Sequence, residues 1–287
     1  MRATRWCAAA ATVVLVASCS AGSSHVSTAP PTSRVPARSD QVARRSGPAP
    51  VVLILMENHS YGQIVGNPEA PYLNRFARRG ELFTRMHAIG HPSLPNYLAL
   101  TSGSTLGCAS DACPTRSFGG ANLFSQLRRR GIPWRAWEQS MPTRCALGDA
   151  DPYAVRHDPP PYYTNLFPHA CPRHDRPYPS RLPDRIAGFT FVTPNLCGDM
   201  HDCSVAVGDA WARTHVPPLL ERGAIVVITF DEGTGDNHIY CAARGPGAGH
   251  GVRRTRASSH YSVLAGIERH FGLSRLRHAA DAHPIPL

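Results

Sequence analysis

Two oxygen-bearing residues, Glu57 and Asn58, follow directly on the apolar run Val51–Met56, and Asp231 and Glu232 follow the apolar run 224–230 in the same way. A short continuous apolar run bounded by polar residues reads as a buried strand, and ligands of open α/β sheets collect beyond the carboxyl ends of such strands. Four carboxylate or amide side chains thus converge on neighbouring strand ends. Packing acids together is costly unless a proton or a cation neutralises them, and oxygen donors suit a divalent ion such as Mg, Ca, Mn or Zn. Between the two runs lies His91-Pro92-Ser93-Leu94-Pro95-Asn96, followed by helix-compatible residues. With Ser93 as N-cap, Pro95 falls in the first turn, where its missing N–H costs nothing, and free backbone donors surround the hydroxyl. Such a serine suits a nucleophile that attacks an anion.

The elements that position these residues follow from periodicity. Segment 71–80 places Leu73, Phe76 and Ala77 on one helical face and stops at Gly80; 81–89 reads as a second strand leading into the His91 loop. Further helices are expected at 121–130, from 205 to Pro217, and at 260–271. Segment 186–193 is a third strand, and it discharges into a polar stretch in which His201 and Asp202 lie between Cys197 and Cys203. Segment 141–183, rich in Pro, Tyr and His without a clear period, reads as a long loop or cap insertion over the site. The glycine-rich stretch 245–251 lacks the strand-to-helix context of a nucleotide fingerprint and reads as a loop. Strands separated by helices, ending in polar clusters, amount to an α/β fold with a parallel sheet and one site along its carboxyl edge.

The N-terminus carries different information. Arg2 and Arg5, the apolar stretch 8–16 and the end Leu15-Val16-Ala17-Ser18-Cys19 form a targeting segment over 1–19, whose end resembles a lipobox with Cys19 lipidated after cleavage. A plain secretory signal cut near Ala21 is the competing reading. Residues 20–48 have almost no large apolar side chain and read as a tether, leaving 49–287 as the catalytic domain. The formal net charge is +10, all of its basic side chains being arginine, and loss of Arg2 and Arg5 with residues 1–18 leaves +8. No basic run interleaves with aromatics, so dedicated nucleic-acid binding is not expected. Seven cysteines remain beyond Cys7 and Cys19; read as disulfides they pair Cys108 with Cys113, Cys145 with Cys171 and Cys197 with Cys203, leaving Cys241. A zinc-thiolate site is the rival, without any C-x-x-C spacing to support it.

The stretches MENHSYGQIVGN, APYLN and HPSLPNYLALTSGST resemble the bacterial and fungal phosphoesterase family of acid phosphatases and phospholipases C, which is similar to the alkaline phosphatase superfamily. The resemblance runs from about residue 50 to about 275. It implies an α/β/α sandwich with a mostly parallel central sheet, and hydrolysis of a phosphate ester through a covalent phosphoserine at Ser93. It also implies a divalent metal ligated by Glu57, Asn58, Asp231 and Glu232, with Asn96 donating to a phosphate oxygen. His201 and Asp202 resemble the position where related enzymes hold metal or phosphate. His260 either contacts phosphate or caps its helix, and His91 either faces substrate or orients the loop beneath Ser93. Asp231-Glu232 stands where two-zinc members carry Asp-His, so one metal ion is expected. Neither a sulfatase Cys-x-Pro-x-Arg nor a Gly-x-Ser-x-Gly elbow is present. The expected activity is an exported, membrane-tethered acid phosphatase acting on monoesters. The alternatives are a phospholipase C or other phosphodiesterase, and a degenerate surface-binding protein.

Overall fold

A computed structural model describes residues 13–15 and 47–287. The expected signal peptide with Cys19 and nearly all of the tether 20–48 therefore lie outside the described residues. In chain order the strands are β1 Val51–Met56, β2 Glu81–Phe83, β3 Met86–His87, β4 Trp134–Glu138, β5 Asp175–Pro177, β6 Phe189–Thr193, β7 Ile225–Phe230, β8 His238–Ile239, β9 Cys241–Arg244, β10 Val252–Arg254 and β11 Ser258–Ser259. The α-helices are α1 Tyr61–Ile64, α2 Pro71–Arg78, α3 Ser93–Ser102, α4 Leu123–Arg129, α5 Ala170–His174, α6 Val205–Glu221 and α7 His260–His270.

Eight strands form one sheet in the order β10-β2-β9-β7-β1-β6-β4-β5, parallel throughout except for β9, which runs against both β7 and β2. The expected α/β class with a mostly parallel sheet is what the chain adopts. β1 and β7, which are entirely apolar apart from Thr229, are buried along their whole length at the centre of the sheet, as strands covered on both faces must be. Their register places Met56 opposite Phe230, so the residues that leave each strand, Glu57 and Asp231, emerge side by side.

Several sequence readings differ from the structure in instructive ways. The expected strand 81–89 is broken by a turn at Thr84-Arg85: β2 stays in the large sheet, and β3 joins a second, three-stranded sheet with β8 and β11. Helix α6 continues through Pro217 and Pro218 rather than stopping there. Val216 and Leu219 are fully buried on its inner face, and that burial outweighs the prolines' disruption at the helix's last turn. β4 was hidden in the sequence because Trp134, Ala136 and Glu138 alternate with Arg135 and Trp137, which blurs any apolar run. Segment 141–183 carries regular structure of its own and packs into the body. Short 3₁₀ turns bury Tyr162, Tyr163 and Leu166, and β5 extends the sheet beside β4.

The three disulfides are those expected, Cys108–Cys113, Cys145–Cys171 and Cys197–Cys203, and Cys241 is free and buried. Gly80, between α2 and β2, admits no side chain, because a Cβ there would collide with the Ala243 carbonyl. Among the described residues no helix is long and apolar enough to cross a membrane.

The Cys145–Cys171 bridge closes a loop of 26 residues around the 3₁₀ turns that carry Arg156 and His157. Its replacement by two serines is expected to cost on the order of 3 kcal/mol in chemical denaturation. Unchanged denaturation midpoints would mean the segment is held by packing alone.

Candidate active site

Ser93 is the first residue of α3, with Pro92 as the N-cap, so the helix starts one position earlier than the sequence implied. Its hydroxyl donates to Glu57 Oε2 at 3.0 Å. Tyr97, one turn along the same helix, donates to the other oxygen, Glu57 Oε1, at 2.5 Å. A strand end and a helix start are thereby locked together through one carboxylate. Asp231 is fully buried, its Oδ1 accepting the Asn58 backbone N–H at 3.0 Å. Asn58 sits at φ 58°, a left-handed conformation that turns the chain sharply out of β1.

Two residues that sequence reasoning missed complete the cluster. Asp199, in the loop after β6, is fully buried and accepts the His201 backbone N–H at 2.8 Å. His157, from the Pro- and Tyr-rich segment, lies with Nε2 at 3.4 Å from Glu57 Oε2 and Nδ1 at 3.5 Å from Asp199 Oδ2. The ring stacks on Tyr97 with centroids 5.4 Å apart. Asp199 follows a strand as Glu57 and Asp231 do, though six residues beyond Thr193, and that shared position was the available signal. His157 had none, since its segment shows no period.

Burial, reinforced by Asp231 and Asp199, raises the Glu57 carboxyl well above the usual carboxylate range. Burial also pushes Asp199 up to about 8 and raises Asp231. It holds His157 far below an ordinary imidazole, with Arg156 and His201 opposing its charge further. These shifts describe acids that lack a counter-charge. His157 Nε2, Asp199 Oδ2 and Asp231 Oδ2 are buried with no hydrogen-bond partner. Buried polar atoms left unpaired are expensive, and the Glu57, His157 and Asp199 donor atoms lie within 4.8 Å of one another. A divalent cation fits that donor set.

The remaining expected residues fall into two groups. Glu232 is pushed up to about 8, chiefly by burial, and its Oε2 lies 3.0 Å from His91 Nδ1 at the half-exposed rim. His201 Nδ1 lies 2.6 Å from Asp202 Oδ1, and its Nε2 lies 3.3 Å from Arg156. Arg156, also missed, reaches towards Asp111, which accepts the Leu94 backbone N–H at 2.9 Å. With Asp149 and Val155 these residues line an open cavity of about 420 Å³ beside the start of α3.

Asn96 and His260 do something else. Asn96 is fully buried, accepts from the Ile89 and Gly90 N–H groups and donates to the Gly90 and Pro92 carbonyls. Every polar atom of that amide is spent on clamping the loop that presents Ser93, which leaves nothing for a phosphate oxygen. His260, fully buried, sets Nε2 at 2.6 Å from the Asp231 carbonyl, and burial lowers it to about 4. A neutral ring bonding that carbonyl through Nε2–H turns a lone pair, not a proton, outward from Nδ1. It buttresses Asp231 rather than meeting an anion.

Comparison with known proteins agrees with this architecture. A family model described as "Phosphoesterase family" matches residues 67–274. The chain is 34% identical over 252 residues to a phosphatidylinositol-3-phosphatase of Mycobacterium tuberculosis, an alignment covering 83% of this chain and 81% of that one. It is 28% identical over 229 residues to a phosphate-repressible acid phosphatase of Penicillium chrysogenum, covering 71% of this chain but only 55% of the longer fungal protein. Among solved structures, a protein of the alkaline phosphatase superfamily from Vibrio parahaemolyticus superposes with a TM-score of 0.56 at 12% identity, over 84% of this chain and 71% of that one. At that identity the likeness concerns the fold alone.

The raised carboxylates set a pH dependence. In the metal-free protein the native state binds more protons than the unfolded chain between the usual carboxylate range and about pH 8, so stability is full at low pH and falls as pH rises through that window. Thermal unfolding of stripped protein from pH 7 to 8, above the range where the depressed His157 and His260 contribute the opposite slope, is expected to show a falling midpoint, with a shallower fall in Asp199→Asn. A flat or rising midpoint would mean that the acids are not strained in the native state.

Proposed function

The chain belongs to the phosphoesterase family and is a phosphoester hydrolase, and from that premise we propose that it is an acid phosphatase-type monoesterase working through Ser93. The observation that carries this reading is the Ser93 hydroxyl, at the start of α3, donating to a buried carboxylate at 3.0 Å within an acidic cluster that has unpartnered oxygens. Glu57, Asp199 and Asp231 would hold a divalent cation, with His157 beside them and Asn58 and Glu232 at the margin. When bound, such an ion lowers the pKa of a hydroxyl and neutralises charge on a phosphoryl group.

The chain's own residues account for the proton and the positioning. Glu57 Oε2 accepts the Ser93 proton, and burial gives that carboxylate the proton affinity a base requires. Ser93 Oγ forms a bond to phosphorus as the bond to the ester oxygen breaks in line, and phosphoserine results. The departing alkoxide is protonated at the rim, where His91 and His201 are the titratable groups beside Glu232 and Asp202. Water then attacks phosphorus and gives a proton back to the rim group that protonated the alkoxide, the Oγ–P bond breaks, and Glu57 returns its proton to Ser93. Arg156, facing the cavity, would receive phosphoryl oxygens, and its guanidinium favours a dianionic terminal phosphate over a diester.

Export and lipid anchoring at Cys19 belong to the same proposal. Three disulfides support an oxidising compartment.

The test is turnover of p-nitrophenyl phosphate and bis-p-nitrophenyl phosphate by the purified chain and by Ser93→Ala, each after chelation and after restoring single divalent ions. The expected result is preference for the monoester, activity lost on chelation and restored by one ion, and a kcat at least about a thousandfold lower in Ser93→Ala. Retained activity in Ser93→Ala would overturn the nucleophile. Indifference to chelation would overturn the catalytic metal, and diester preference the choice of substrate class.

A further inference from the structure

A second group of acids lies inside the fold, away from Ser93. Glu138 ends β4, Asp175 begins β5, and Asp158 directly follows His157. The parallel register sets Asp175 opposite Ala136, and alternation puts Ala136 and Glu138 on the same face of the sheet. The small alanine between the two acids leaves room into which Asp158 projects. All three side chains are at most 1% exposed, and one carboxylate oxygen from each lies within 4.8 Å of the others.

Clustering alone would mean little; the state of the oxygens points to a ligand. Glu138 Oε1, Asp158 Oδ1 and Asp175 Oδ1 are buried without any hydrogen-bond partner. Asp158 Oδ2 accepts the Tyr153 hydroxyl at 2.7 Å, and the Thr193 hydroxyl lies beside Glu138; both donors are neutral. Asp175 Oδ2 packs 3.7 Å from Cys171 Sγ, which as half of a disulfide has no hydrogen to give. Among the described residues no arginine or histidine forms an ion pair with any of the three; the His157 ring faces the other way, towards Glu57 and Asp199. Asp158 and Asp175 stand close enough to share a proton, which leaves Glu138 with only the neutral Thr193 hydroxyl, whereas one divalent ion serves all three.

We propose that Glu138, Asp158 and Asp175 form a second, structural site for a hard divalent cation of the calcium type. All three donors are oxygens, with no nitrogen or thiolate to favour zinc. Calcium accepts carboxylate oxygens at about 2.3–2.6 Å in an irregular shell, whereas magnesium, at about 2.0–2.1 Å, demands near-octahedral geometry and keeps several waters, which a site closed to solvent does not offer. The ion would tie the edge strands β4 and β5 to the turn that carries His157, and so hold that imidazole against the catalytic cluster. Because the site is closed to solvent, it would be filled as the chain folds and would exchange slowly afterwards.

The test uses the full chain unfolded in guanidinium with EDTA, refolded with or without calcium chloride, then passed through chelating resin. Metal content is read by inductively coupled plasma mass spectrometry, and unfolding by calorimetry. To separate this site from the catalytic one, the measurement is repeated on Asp199→Asn/Asp231→Asn. The expected result is close to one equivalent of calcium resisting the resin in both proteins, with a midpoint about 5 °C higher after refolding in calcium. Glu138→Gln/Asp175→Asn is expected to lose that equivalent and the calcium-dependent rise together. Wild-type protein that refolds equally well with and without calcium and retains no divalent ion overturns the proposal, whether or not the triad variant folds. Retention that disappears in Asp199→Asn/Asp231→Asn overturns it too, by assigning the ion to the catalytic cluster.

Discussion

The architecture depends on one costly arrangement: three carboxylates, Glu57, Asp199 and Asp231, packed together at adjacent strand ends with almost no water around them. Taking a charge out of water is tolerated only with a partner. The parallel pairing of β1 with β6 and β7 makes the proximity unavoidable, since the three chains leave the sheet at the same level. Donors gather around the acids accordingly: the Ser93 and Tyr97 hydroxyls on Glu57, the Asn58 amide on Asp231 and the His201 amide on Asp199. The donors are fewer than the lone pairs, and that shortfall is what the proposed cation would fill.

His157 and Asp158 show how closely the edge of the sheet is coupled to this centre. Asp158 has extended dihedrals, so consecutive side chains diverge, one towards Glu57 and the other towards Glu138 and Asp175. Thr193, at the end of β6, donates to the His157 carbonyl at 3.0 Å and fixes the backbone between them. A single turn of chain therefore faces two groups of acids, and whatever sets its position on one side sets it on the other.

Much of this was legible in the sequence. Runs of Val, Ile and Leu that break abruptly into Glu-Asn or Asp-Glu declare both a central strand and what lies beyond it, because full burial demands apolar residues and the strand end releases that demand. The serine after His91-Pro92 was readable as a helix start. The less legible parts have their own physics. Arg156 and His157 sit on 3₁₀ turns among prolines, where no period exists to read, and β4 mixes arginine and glutamate into a strand at the margin of the sheet. Asn96 matched a family motif and was expected to meet substrate, yet its amide is consumed by the loop it closes. A motif records which residue stands at a position and is silent about which of its atoms remain free.

The disulfides run strictly in order along the chain: first with second, third with fourth, fifth with sixth, at separations of 5, 26 and 6 residues. A polypeptide oxidised as it emerges N-terminus first meets each native partner before any competing one is available. Correct pairing among these six then needs no reshuffling, and Cys241 arrives when the six disulfide-forming cysteines before it are already spent. Buried on β9, with its thiol pushed up to about 12, it stays unreactive thereafter. An odd cysteine, a hazard wherever disulfides form, is made harmless here by its place in the queue.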